Sequence, residues 1–123
     1  MVRFFCNFIS KLYDTIMWEQ RLELYDQIVA QCPDIERKGK KMIYTSANGY
    51  MFTLLNKDAE IGIRLSKASQ EAFKEKYNAT EYRSYGAIMR DYVKVPDELL
   101  DDNDLLVRYF NESYNYVKSL PPK

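Results

Sequence analysis

Residues 41–65 read KMIYTSANGYMFTLLNKDAEIGIRL, and this stretch decides the fold. Asn48-Gly49 is the dipeptide best suited to a type I′ hairpin turn, because both turn positions need positive φ. Along the flanking runs, 41–47 and 50–55, the apolar period changes from 3.6 to two. A second turn at Asn56-Lys57-Asp58 leads into 59–65, where Ile61, Ile63 and Leu65 alternate with Glu60, Gly62 and Arg64. Three antiparallel strands in a meander are predicted. In the middle strand Tyr50, Phe52 and Leu54 share one expected face, while Met51 and Leu55 share the other with Thr53 between them. Both faces therefore need cover: one by the chain's own helices, the other by the upstream apolar stripe, a second copy or a partner.

Upstream, Trp18, Leu22, Tyr25, Val29 and Cys32 recur at three and four among Glu19, Arg21, Glu23 and Asp26. This is the pattern of an amphipathic helix, which Pro33 should stop because it lacks an amide hydrogen. Earlier still, Phe5, Phe8, Ile9, Leu12 and Ile16 form a second stripe out of register with the first, so a separate or kinked helix is expected there. Residues 1–16 read as an appendage to a single domain spanning 17–123, with Met17 a candidate alternative start.

Downstream, Ser66 is placed to cap a helix to about Tyr77 with Ala68, Ala72 and Phe73 inward. After a loop over 78–84, residues 85–95 read as one or two further strands. Pro96 suits the first position of a helical turn through Leu100, where a missing amide costs nothing. Asp102 or Asn103 then caps a last helix carrying Leu106, Phe110, Tyr114 and Val117. The predicted class is α+β, an antiparallel meander sheet packed with N-terminal and C-terminal helices.

A length of 123 residues suits one core, and 46% hydrophobic with 29% charged residues decides against disorder. Eighteen basic and eighteen acidic residues cancel, which removes the positive field that sequence-independent nucleic-acid binding uses. Nucleic acid is not expected as a partner. The chain has no histidine, so the commonest general base and the usual ligand of catalytic zinc are missing, and no serine or threonine has an imidazole to activate it. Neither enzymatic activity nor a cofactor or metal is expected. Cys6 and Cys32 lie in no CxxC pair and read as reduced. The early apolar run is broken at Cys6-Asn7 and Ser10-Lys11, which argues against a signal peptide and a membrane span and points to the cytoplasm.

The middle and end of the chain, roughly residues 40–120, resemble the TfoX/Sxy N-terminal-domain family. The residues that carry the likeness are Met42 opening the hairpin, the turn glycine and Met-Phe of Asn48-Gly49-Tyr50-Met51-Phe52, Ile63-Arg64-Leu65 before a helix, and Tyr92 with Val95-Pro96. The helix over 18–32 stands where the family has its first helix. Where the family carries a Gly-Gly pair after its basic-Met opening, this chain has Ile43-Tyr44. It looks more like the small stand-alone bacterial relatives than the full-length competence regulators, whose helical C-terminal domain is not expected after Pro121-Pro122-Lys123. The resemblance implies helices against an antiparallel sheet and a regulatory, protein-binding role.

Two groups are candidate partner-binding residues: the basic run Arg37, Lys38, Lys40 and Lys41 between first helix and hairpin, and Tyr109 and Tyr116 on the last helix. A solvated loop accounts for the first without function, and the rim of a helix accounts for the second. The acidic run Asp97, Glu98, Asp101, Asp102 and Asp104 lacks the glycine and closing glutamate of a calcium loop, and helix capping explains it. The expected function is a non-catalytic interaction or regulatory domain whose partner is a protein or a second copy in a homodimer. The alternatives are a small-molecule binding module with a cleft between sheet and helix, and a minor enzyme using carboxylates or tyrosines.

Overall fold

The computed structural model describes residues 2–84 and 86–123, with side chains from Leu12 onward. Phe5, Cys6, Phe8 and Ile9 of the sequence reading thus lie outside the described side chains, and Tyr85 lies outside the described residues. In chain order the elements are α1 (Val2–Ala30), β1 (Arg37–Lys38), β2 (Ile43–Ala47), β3 (Tyr50–Leu55), β4 (Ile61–Arg64), α2 (Lys67–Tyr77), β5 (Glu81–Ser84), β6 (Ala87–Lys94), a 3₁₀ turn (Asp97–Leu99) and α3 (Asn103–Ser119). The strands form one antiparallel sheet in the order β1-β2-β3-β4-β6-β5. The expected α+β class and the β2-β3-β4 meander are what the chain adopts, with helices contributed from both ends.

The hairpin forms for the predicted reason. Asn48 and Gly49 both have positive φ, 56° and 84°. The Asn48 amide does a second job: its Nδ2 donates to the carbonyls of Val117 (3.0 Å) and Leu120 (2.7 Å), tying the end of α3 to the turn. Ser66 caps α2 by accepting from the Ser69 amide, and Asp102 caps α3 by accepting from that of Leu105.

Several local expectations are corrected. There is no break between the two upstream stripes, because α1 is one continuous helix of 29 residues. Helix α2 buries Phe73 and leaves Ala68 and Ala72 exposed, and α3 buries Ser113 in place of Tyr114. The expected loop at 78–84 contains β5, and a two-residue strand, β1, sits inside the basic run.

The expected faces of β3 are also corrected. β2 and β3 pair Thr45 with Thr53 but Ser46 with Met51, so Phe52 is an extra residue, a β-bulge. Past the bulge the alternation resets. Phe52 and Leu55 join the main core with Tyr25, Ile28, Ile63, Val93 and Phe110, whereas Met51 and Leu54 face the opposite layer. Thr53 also turns toward α1: its Oγ1 lies 2.6 Å from the Tyr25 hydroxyl and 2.6 Å from Thr45 Oγ1, a buried chain of three hydroxyls. All three helices contribute to that one core.

The far side of the sheet is covered in its centre by the chain itself. Tyr82 from β5 and Tyr92 from β6 stack at 6.2 Å and bury Leu54 between them and the sheet. The Tyr82 hydroxyl reaches the carbonyls of Leu54 and Glu60, both at 3.1 Å, and that of Tyr92 donates to Met51 at 2.6 Å. Met42, Tyr44, Met51 and Met89 form a half-buried rim around this layer.

Candidate functional site

Helix α1 docks at its middle. Trp18 Nε1 donates to the Asn56 carbonyl and Arg21 Nε to that of Ala59, each at 3.2 Å, so the turn between β3 and β4 holds the helix. The turn is itself rigid: Asn56 Oδ1 accepts from the amides of Asp58 and Glu60, and its Nδ2 donates to the Arg83 carbonyl. From Trp18 onward α1 lies on the sheet, with Tyr25, Ile28 and Val29 buried.

Before that anchor the helix leaves the body. Residues 12–16 are all exposed, with Tyr13 and Asp14 still facing the β3–β4 turn across a groove. Leu12, Tyr13 and Ile16 are 51%, 61% and 43% exposed. They continue the apolar stripe of the sequence, standing in water on an ordered helix.

A groove of about 400 Å³ opens where α1 meets the body, with Met17 and Arg21 on one wall and Glu60, Lys94, Val95 and Leu100 on the other. Lys94 Nζ pairs with Glu60 Oε2 at 2.6 Å. Burial by itself pushes the Glu60 carboxyl up, but hydrogen bonds from Lys94 and the Asn56 amide, with the lysine's charge, together hold it below its ordinary value. A lowered folded value stabilises the protein above the unfolded carboxyl's range, and that stabilisation is lost as the pH falls through it. Replacing Glu60 with glutamine is expected to lower the urea midpoint at neutral pH, with the gap to wild type closing below about pH 4. A gap that stayed constant into acid would show that the carboxylate's charge is not what matters.

Tyrosines in this protein are largely structural. Burial pushes the Tyr25 and Tyr82 phenols well above their ordinary range, and it raises Tyr92 to about 12 against the opposing pull of Arg64. A raised folded value stabilises fully below the unfolded value of about 10 and is lost as the pH climbs past it. In an alkaline absorbance titration these three should ionise together with loss of the circular dichroism signal. Reversible ionisation of all eleven tyrosines near pH 10 with the fold intact would contradict this.

The sequence candidates fall in two separate places. Arg37 pairs with Asp26 at 3.1 Å, Lys38 Nζ donates to Ser46 Oγ at 3.0 Å, and Lys40 and Lys41 are exposed, all beside the β1 edge of the sheet. Lys41 borders a shallow depression with Asp14, Trp18 and Lys57 at the root of α1. Tyr109 packs edge-on against Phe73 at 5.1 Å on α2, which lies against β6 toward the other edge, and burial with the neighbouring Tyr77 raises its phenol. Tyr116 is half-buried against the main core.

No known family model, curated protein or solved structure matches this chain.

The site must therefore be read from its own chemistry. Among the described residues no group of three or more histidine, cysteine or acidic side chains is placed to hold a metal ion, and no helix is long and apolar enough to cross a membrane. Cys32 is free and buried, its Sγ donating to the Ile28 carbonyl at 3.3 Å. Sequence reasoning did not find the Trp18 and Arg21 anchor, because both residues fit an ordinary amphipathic helix and the carbonyls they meet lie 38 positions away.

Proposed function

We propose that the chain is a non-catalytic interaction or regulatory domain of the bacterial cytoplasm, similar to the TfoX N-terminal domain, and that it acts by binding a protein through the exposed part of α1. The observation that carries this reading is the exposure of the apolar Leu12, Tyr13 and Ile16 on the stretch of α1 that precedes its anchor. Such side chains gain by leaving water, and contiguous apolar surface on a folded protein marks a contact site. The family likeness rests on the sequence motifs alone, which fall on the β2–β3 turn, on the end of β4 before α2, and on the end of β6. The groove at the root of α1 is the place a small ligand would use, but its best-placed cation, Lys94, is already paired with Glu60.

The test compares wild type with Ile16→Glu as immobilised bait. The expected result is a partner retained by wild type and lost by the variant, whose thermal midpoint is unchanged because Ile16 lies outside the core. A small molecule that co-purifies and is released by Arg21→Ala would sink the reading in favour of a ligand-binding module.

A further inference from the structure

We propose that the tip of the β2–β3 hairpin, residues 48–50, is a binding site for a proline-rich segment of a partner protein, and that residues 120–123 of this chain occupy it as a built-in competitor. Leu120-Pro121-Pro122 is disposed toward the extended polyproline II form, because each proline fixes its own φ and pushes the residue before it out of the helical region. Leu120 adopts that form, with φ −79° and ψ 157°. The segment then lies across the turn by backbone contacts. Asn48 Nδ2 donates to the Leu120 carbonyl at 2.7 Å, the Tyr50 hydroxyl donates to that of Pro121 at 2.6 Å, and the Lys123 amide donates back to the Asn48 carbonyl at 3.3 Å. A polyproline II strand suits such a site, since its carbonyls have no internal partners and its prolines bring no amide that must be satisfied.

Gly49 lets the segment lie close, because a Cβ there would stand 2.6 Å from Cβ of Lys123. The Tyr50 ring also carries the cations of Lys123 and Arg64, with Nζ at 4.9 Å and Cζ at 5.2 Å from its centroid. Aromatic side chains that dock a preformed polyproline II segment are a general mode of peptide recognition, favoured because the ligand loses little freedom on binding. The occupant is a different protein rather than a second copy. Exchange between two copies replaces each contact by an identical one and gives up the effective concentration of an attached segment, on the order of millimolar, so it gains nothing. The internal segment is lightly held: Pro121, Pro122 and Lys123 are exposed, and Leu120 alone of the four packs on the core. A longer proline-rich segment with contacts beyond the hairpin tip can therefore displace it.

An NMR titration of the isotope-labelled full chain tests this, with a synthetic peptide of the sequence of residues 117–123 as probe. A variant carrying both Pro121→Gly and Pro122→Gly keeps the full chain but loses the bias toward polyproline II. Its own segment should leave the turn, and the peptide should shift the Asn48 side-chain amide and the Gly49 amide. Wild type should bind the same peptide at least about tenfold more weakly, because its own segment competes. Adding Tyr50→Phe to the loosened variant should weaken the peptide roughly two- to tenfold, the range for one hydrogen bond, and a peptide with glycine at both prolines should not bind. Ile16→Glu should change none of this, which keeps the result separate from that of the proposed α1 contact. The inference is overturned by a segment that stays docked in the loosened variant, by peptide shifts that are absent or lie away from the turn, or by equal binding of the glycine peptide. A two-chain mass of wild type that is lost on Tyr50→Phe overturns it as well, by giving the site to a second copy.

Discussion

Phe52→Ala lowers the stability of this protein by about 3–5 kcal/mol, the usual cost of emptying a buried phenylalanine site. The ring is fully buried, meets Tyr114 of α3 edge-on at 5.9 Å, and lies in the same core as Tyr25, Ile63 and Phe110. It belongs to the bulge residue, whose backbone is fixed on both sides: Met51 and Thr53 hold the flanking pairs, and the Phe52 carbonyl accepts from Ser113 Oγ at 3.2 Å. The sheet and α3 thus cannot easily collapse into the space, which keeps the cost at the upper end of the cavity range. Met51, on the opposite layer and only half-buried, should cost distinctly less as Met51→Ala. Urea denaturation of the two variants beside wild type measures both, and equal midpoints for Phe52→Ala and wild type would refute the assignment.

Gly62→Ala is expected to cost about 2–4 kcal/mol although it adds a single methyl group, because overpacking and broken hydrogen bonds combine. A Cβ on Gly62 would stand 2.4 Å from Cε2 of Tyr82 and 2.6 Å from its Cδ2 and Cζ. The ring cannot move aside cheaply: its hydroxyl is held by the carbonyls of Leu54 and Glu60, and it shields Leu54 together with Tyr92. The glycine is required by this close approach, since its φ lies outside the left-handed region. A double-mutant cycle checks the mechanism: in a Tyr82→Ala background Gly62→Ala should cost little. Costs that simply add would mean the methyl is resisted by something other than the ring.

Features that depend on local backbone chemistry were legible in the order of residues alone. Asn48-Gly49 could serve one kind of turn, Ser66 and Asp102 had side chains fit to cap the helices that follow them, and the period of two in 50–65 placed a meander. The absence of histidine and the balance of charge bounded the chemistry in the same direct way. The apolar stripe from Phe5 to Ile16 was also legible, but not whether anything in the protein covers it.

Tertiary structure decided everything that depends on what a side chain meets across the chain. Alternation assigned Leu54 to the wrong layer because a bulge adds one residue to a strand without any mark in composition, and the pairing partner that exposes it is found only on β2. The far face looked in need of a partner, yet Tyr82 arrives from 28 residues away and finds room over Gly62 to cover it. Likewise α1 runs straight through the change of stripe, because helical hydrogen bonds join residues four apart and are indifferent to which side is apolar. Only the anchor of Trp18 and Arg21 on the β3–β4 turn fixes where the helix stops being core and becomes surface.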